Sequence, residues 1–222
     1  MIGGTPKTMR TALLLTTFYS AFFASYWLPP LSRFKPWSEV HLGLHWNWVW
    51  PAGCCLATLA YRRFSHTPIR ISCNRLRGTL GWFVVGGTGG FALQAIWIAL
   101  HWRHAFHFQG VDGETFLFQT TVSFAEEALW RGAFQSHLQN ALEERHMPQA
   151  RAAIVAVVYC SLLFGLSHGL NPILRGTGGF DAYWFLSMFC LSSVAGAVFV
   201  RARCLMAPVG VHLSYNYIAS FF

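Results

Sequence analysis

Charged side chains are scarce in this chain. Asp, Glu, Lys and Arg make up 11% of its 222 residues, less than half of the roughly 25% that is usual in soluble domains. Hydrophobic residues make up 54% and aromatic residues 17%. This composition excludes an ordinary soluble domain and indicates a membrane protein.

The few charges are clustered, and long uncharged runs separate them. Each run is long enough for a helix that crosses the bilayer core, which takes about 17–25 residues. The runs are Thr11–Ser32, Val40–Tyr61, Gly78–Trp102, Ala152–Leu174, Ala182–Val200 and Cys204–Phe222. A seventh run, Thr115–Leu142, is interrupted only by Glu126, Glu127 and Arg131. The pattern predicts an all-α fold, a polytopic transmembrane helical bundle of about seven spans.

We expect residues 1–222 to form a single membrane-embedded domain, with N-terminal spans over 11–102 and a motif-bearing core over about 115–222. The first run follows Lys7 and Arg10, as a signal peptide would. Its 22 uncharged residues exceed the usual signal core of about 7–15 residues. We therefore interpret this run as a retained first helix.

Cysteine pairs with metal-binding spacing are also lacking. The six cysteines form no CxxC motif, and most lie within apolar runs, where a free cysteine behaves as a small hydrophobic residue. We expect from them neither a disulfide framework nor a metal site. The sequence also contains no P-loop and no dinucleotide fingerprint.

The net charge of +8 does not require a nucleic-acid partner, and we expect none. With seven spans and a cytoplasmic N-terminus, eleven Lys and Arg residues fall in inner segments and four in outer loops. This bias satisfies the positive-inside rule and predicts that orientation. The basic loop from Arg62 to Arg77 would then lie against anionic membrane lipids.

The pair Glu126 and Glu127 is the most informative feature of the chain. An ionised group at the centre of a membrane helix costs about 2.5–3.5 kcal/mol even on lenient scales. Glu127 and Arg131 are four residues apart, so their side chains meet on one face of a helix. Glu126 points about 100° away and is available to another neighbour. By itself, the Glu127–Arg131 pair is more typical of structural support than of catalysis.

Two further polar groups interrupt later spans. The fifth span ends in Phe164-Gly165-Leu166-Ser167-His168, and the last span carries His212 and Asn216, four residues apart on one face. Glu126 could take a proton from water, His168 could share in that step or protonate a leaving amine, and His212 and Asn216 could hold an oxyanion. These groups together indicate hydrolysis of an amide bond, although each alone has an ordinary structural reading.

Two glycine-rich motifs have structural readings. Gly86 and Gly90 form a GxxxG pair, which is typical of close helix packing in membranes. Gly176–Gly179 follows the fifth span and fits either a mobile mouth or a simple turn.

The ordered motifs EExxxR, FxxxH and HxxxN resemble those of the CAAX protease and bacteriocin-processing family, also known as the abortive-infection family. The resemblance covers about residues 115–222 and implies a glutamic-type intramembrane endopeptidase. It implies that Glu126 and His168 activate water, that His212 and Asn216 form the oxyanion hole, and that Glu127, Arg131 and Phe164 support the site. The first three spans carry no motif of this family.

The resemblance leaves the substrate open. Family members act on prenylated CAAX proteins, bacteriocin precursors or proteins with a C-terminal sorting anchor, so we expect a membrane-associated protein or peptide cleaved near its C-terminus or leader. We place the protein in a bacterial inner (plasma) membrane. A carboxylate with two histidines can also bind zinc, but the resemblance favours a metal-free mechanism without cofactors.

Three non-protease readings remain. The chain could be a non-catalytic immunity protein or chaperone-like factor with the same fold, a transporter, or a haem protein that uses His168 and His212. Intact motifs argue against the first, and the absence of matched broken helices argues against a transporter. The predicted spans place Glu126, His168 and His212 at depths that differ too much for one site, so the predicted helix ends must be wrong by several residues.

Overall fold

The structure, a computed structural model, describes residues 48–65, 76–100 and 113–221. The described residues form helices with short connections, and they contain no β-strand. In chain order the elements are α1 (Val49–Ser65), α2 (Leu76–Leu100), α3 (Gly113–Glu127), a π-helical segment (Ala128–Gln135), α4 (Ser136–Glu143), α5 (Gln149–Gly169), α6 (Asn171–Arg175), α7 (Ala182–Ala202) and α8 (Met206–Phe221). The predicted all-α bundle is confirmed.

Three of these helices are long and apolar enough to cross a membrane, by length and composition: Gly78–Leu100 in α2, Gln149–Gly169 in α5 and Ala182–Ala202 in α7. Each coincides with a predicted span to within a few residues. The predicted first span, Thr11–Ser32, lies outside the described residues. The number of seven spans therefore stays a prediction, as do the domain limits.

The interrupted run forms one continuous helix over residues 113–143, because backbone angles remain helical at Glu127, Gln135 and Ser136. Its central turns are π-helical, and all eight residues of that segment are buried. The Ser136 hydroxyl donates a hydrogen bond of 2.7 Å to the carbonyl of Arg131, five residues earlier. Short π-helical turns inside α-helices occur frequently at functional sites, and this one directly follows the paired glutamates.

The packing of α2 against α8 depends on glycine. A Cβ atom added at Gly86 would lie 2.0 Å from the carbonyl oxygen of Ala207, and one at Gly90 would lie 2.0 Å from that of Val211. Only residues without a side chain allow backbones to approach so closely. The GxxxG pair is therefore a helix-packing motif, as predicted.

The glycine-rich segment Gly176–Gly179 lies in the turn that follows α6. Helix α6 ends at Arg175, and the next residue, Gly176, adopts a left-handed conformation with φ of 68°, as glycine does most easily at helix ends. The amide of Thr177 then donates to the carbonyl of Pro172 at 2.9 Å. The Asp181 side chain caps the start of α7 by accepting a hydrogen bond of 2.8 Å from the amide of Trp184.

The cysteine spacing predicted no disulfide framework, but Cys204 is disulfide-bonded. Cys54, Cys55, Cys160 and Cys190 are free. Spacing along the sequence carried no signal for this bond, because disulfide pairing depends on distance in the folded chain.

Candidate active site

The site is built on the end of α3. Glu127 is the last residue before the π-helical segment, and its side chain is 1% exposed. Its Oε2 atom accepts a hydrogen bond of 3.0 Å from Nε of Arg131, whose side chain is fully buried. The carboxylate and the guanidinium thus offset each other's charge at a buried position, where an unpaired charge would be very costly.

Arg131 also connects the π-helical segment to α7. One terminal nitrogen donates to the hydroxyl of Ser192 at 2.6 Å, and the other donates to Oε1 of Gln135 at 3.3 Å. Gln135 in turn donates to the carbonyl of Gly196 at 3.2 Å. Two side chains, Arg131 and Gln135, therefore bond this helix to α7, and Glu127 supports Arg131.

His212 lies between the two glutamates. Its Nδ1 atom is 3.0 Å from Oε1 of Glu127, and its Nε2 atom is 3.7 Å from Oε2 of Glu126. Because a carboxylate oxygen accepts hydrogen bonds, Nδ1 carries a proton and donates a hydrogen bond to Oε1 of Glu127. Both oxygens of Glu127 are thereby occupied, one by His212 and one by Arg131.

Glu126 reaches a different helix through its other oxygen. Its Oε1 atom accepts a hydrogen bond of 2.5 Å from the indole nitrogen of Trp50 on α1. Glu126 does face a separate neighbour, as the helical spacing predicted. Helical spacing did not show that both glutamates also converge on His212, since that contact depends on where α8 packs.

Phe164 and His168 form one wall of the site. The ring of Phe164 packs on that of His168, with centroids 4.5 Å apart, and edge-on against that of His212 at 5.9 Å. The Nδ1 atom of His168 lies 2.9 Å from the carbonyl oxygen of Phe164 and 3.2 Å from the Ser167 hydroxyl. A carbonyl oxygen can only accept, so Nδ1 of His168 is a donor.

Asn216 adjoins the site one helical turn beyond His212. Its amide nitrogen donates a hydrogen bond of 3.3 Å to the hydroxyl of Ser123. Ser123 is fully buried on α3, one turn before Glu127. Asn216 therefore faces the same side of α3 as the glutamates.

The structure thus gathers Glu126, Glu127, Arg131, Phe164 and His212 through direct contacts, with His168 against Phe164 and Asn216 against Ser123. The depth conflict of the predicted spans does not exist in the structure, because the true helix ends differ from the limits of the uncharged runs. Helix α5, for example, ends at Gly169, whereas the run continues to Leu174.

Sequence reasoning missed four residues that contact the cluster: Trp50, Ser123, Gln135 and Ser192. Only Gln135 had a usable signal, since it continues the spacing of four residues from Glu127 and Arg131. Trp50 and Ser192 come from distant parts of the chain. In the described ranges, no three His, Cys, Asp or Glu side chains are placed to hold a metal ion together.

A helical bundle with span-length apolar helices and a buried cluster of carboxylates and imidazoles defines an integral membrane protein with a polar internal site. Residues 113–218 match the family model described as type II CAAX prenyl endopeptidase Rce1-like. This half of the chain therefore belongs to the CAAX protease and bacteriocin-processing family, as the three motifs predicted. Because this family is a protease family, the match supports a peptide hydrolase. The chain has no significant match to a curated protein sequence or to a solved structure.

Proposed function

We propose that this protein is a glutamate-dependent intramembrane endopeptidase that cleaves a membrane-associated protein near its C-terminus. The observation that carries the proposal is the placement of His212, whose two ring nitrogens face Glu127 at 3.0 Å and Glu126 at 3.7 Å. A pair of carboxylates joined by one imidazole, next to a second histidine, suits proton transfer to and from a peptide bond.

Glu126 is the proposed general base. Trp50 occupies its Oε1 atom, and its Oε2 atom lies too far from His212 for a direct hydrogen bond. Oε2 can therefore accept a hydrogen bond from the attacking water. When His168 is neutral, its donor bond to the Phe164 carbonyl leaves Nε2 as an acceptor. His168 is thus suited to share in activating the water or to carry its proton.

His212 is the proposed oxyanion donor, and Glu127 gives it that role. Glu126 and Glu127 together carry two negative charges against the single positive charge of Arg131. A proton on His212 makes this buried group neutral, which lowers the cost of removing it from water. The imidazolium then keeps a donor at Nε2 while Nδ1 remains bonded to Glu127. The Asn216 amide would supply the second donor after releasing Ser123.

The proposed reaction conserves its protons. Water attacks the carbonyl carbon while its proton passes to Glu126, and the carbonyl oxygen becomes an oxyanion held by His212 and Asn216. The carbon–nitrogen bond then breaks, and the amine leaves with a proton returned from Glu126 or His168. The products are a new carboxylic acid and a new amine, and transfer of the acid proton to the amine leaves a carboxylate and an ammonium group.

The decisive experiment is the replacement Glu126→Gln in the purified protein, with an internally quenched farnesylated CAAX peptide as the substrate. The amide keeps the shape of the side chain but cannot take a proton, so we expect kcat to fall by about 10²-fold or more. The control is Glu114→Gln, which changes an exposed glutamate in the first turn of α3 and should leave kcat unchanged.

The same variants can be compared in cells, where the membrane proteome of the Glu126→Gln strain should accumulate an unprocessed precursor. A folded Glu126→Gln protein with wild-type turnover and no precursor would overturn the proposal and favour a non-catalytic immunity or chaperone-like factor.

The proposed mechanism uses no metal. Peptide cleavage should therefore survive exhaustive chelation of the purified protein. Loss of activity that zinc restores would instead assign the carboxylate and the two histidines to a metal site.

A further inference from the structure

Helix α1 lies outside the matched segment of residues 113–218, yet it supplies a side chain to the proposed site. The indole nitrogen of Trp50 donates to Oε1 of Glu126. A donor on one oxygen of a carboxylate fixes the rotation of the group and decides where its second oxygen points. We propose that Trp50 is a positioning residue that holds Glu126 in its catalytic orientation. This inference rests on the proposed function.

The inner face of α1 is built to hold Trp50 in place. Cys54 and Tyr61 lie one and three turns further along the same face and are 0% and 2% exposed, respectively. At the far end, the hydroxyl of Tyr61 lies 2.6 Å from Nδ1 of His137 on α4. Two side-chain hydrogen bonds, those of Trp50 and Tyr61, thus connect α1 to the helix of residues 113–143.

The two attachments have the same register. Trp50 and Glu126 are 76 residues apart along the chain, and so are Tyr61 and His137. The two helices therefore run in the same direction, and 11 residues separate the contacts on each helix. A rigid helix held at both ends keeps its side chains in register, so the indole stays directed at Glu126.

The contact has a specific consequence for the reaction. With Oε1 occupied by Trp50, Oε2 is the oxygen that accepts the hydrogen bond from the attacking water. Without the indole donor the carboxylate can rotate and present either oxygen, and the attacking water loses its fixed position. Such loss of orientation lowers the rate of the chemical step more than it lowers binding.

The test compares Trp50→Phe with two matched variants, using the quenched farnesylated CAAX peptide. Trp50→Phe keeps an aromatic ring but removes the donor, and we expect kcat to fall about 10-fold or more with little change in KM. Tyr61→Phe removes the other attachment of α1 without touching Glu126. Trp48→Phe makes the same substitution at a nearby indole, which packs edge-on against Phe118 at 5.5 Å.

Trp48→Phe should retain the kcat of the wild type, and Tyr61→Phe, which loosens α1 but keeps the indole donor to Glu126, should lower kcat much less than Trp50→Phe does. An equal loss in Tyr61→Phe would show that Trp50 acts only by anchoring α1, and an unchanged kcat in Trp50→Phe would also overturn the inference.

A measurement without substrate separates this inference from the proposed function. In protein labelled with ¹⁵N-tryptophan, the indole resonance that disappears in Trp50→Phe identifies Trp50. Glu126→Gln replaces the charged acceptor by a neutral one and should shift that resonance, while Glu114→Gln should not. If Glu126→Gln leaves the resonance unmoved, the inference is wrong whether or not the peptide is cleaved.

Discussion

The Nδ1 atom of His212 lies 3.0 Å from Oε1 of Glu127, and both side chains are at most 4% exposed. This contact joins α8 to the end of α3 and gives Glu127 a second partner besides Arg131. A carboxylate that orients a histidine through Nδ1 sets which nitrogen carries the proton, as the aspartate of a catalytic triad does. Glu127 is therefore more than a counter-ion for Arg131.

The first prediction concerns this contact. Glu127→Gln keeps the size of the side chain but removes the charge that favours the imidazolium of His212. We expect kcat for the farnesylated peptide to fall by about 10²-fold or more, the effect of losing one oxyanion donor. Wild-type turnover in a folded Glu127→Gln protein would contradict the assigned role of His212.

The second prediction concerns the stability of the π-helical segment. Arg131→Ala leaves Glu127 without its cation and removes the bonds to Gln135 and Ser192. Breaking one partner of a buried ion pair costs about 3–5 kcal/mol, so thermal unfolding in detergent should begin at a clearly lower temperature.

Ser192→Ala is the matched variant for Arg131, because it removes a single hydrogen bond. It should lower the free energy of unfolding by only about 1–3 kcal/mol. Equal stability of Arg131→Ala and the wild type would refute a structural role for the ion pair.

The third prediction tests the glycine contact between α2 and α8. Gly90→Ala places a methyl group 2.0 Å from the carbonyl oxygen of Val211, so the two helices must separate. We expect a large loss of thermal stability. Gly81→Ala on the same helix is the control, because an added Cβ there meets nothing within 4 Å. Alanine also has the higher helix propensity, so this control should be neutral or slightly stabilising.

The fourth prediction concerns membrane orientation. The positive-inside count places the end of the bundle with Arg201 and Arg203 in the cytoplasm. Disulfides are rare in that compartment, yet Cys204 at the same end is disulfide-bonded. Cys204 itself is buried, so the test places a cysteine at the exposed position 201: we expect Arg201→Cys to resist a membrane-impermeant maleimide applied to intact cells and to react in inverted membrane vesicles. Labelling in intact cells would reverse the predicted orientation.

Much of the fold was predictable because lipid imposes a simple rule on sequence. A span needs a long uncharged run, and the limits of the runs at Gly78–Trp102 and Ala182–Val200 differ from those of α2 and α7 by no more than two residues. The run at Ala152–Leu174 was less accurate, because apolar residues continue past the turn at Leu170 into the short helix α6. Hydropathy marks which residues avoid water and does not show where a helix stops.

The candidate site was predictable where its residues share a helix. The spacing of Glu127 and Arg131 specified their contact, since residues four apart meet on any helical face. The spacing could not assign His212 to both glutamates, and it gave no indication of Trp50, which lies 76 residues from its partner.

The sequence by itself determined the class of the protein. Scarce charge and long apolar runs require a membrane bundle, and carboxylates, histidines and an asparagine at helical spacing within those runs indicate hydrolytic chemistry. Only the tertiary structure decided which of these residues contact one another, and therefore which role each can take. The packing of α1 and α8 against the π-helical turn brings Trp50 to Glu126 and His212 to Glu127, and contacts between distant helices depend on packing that no local pattern encodes.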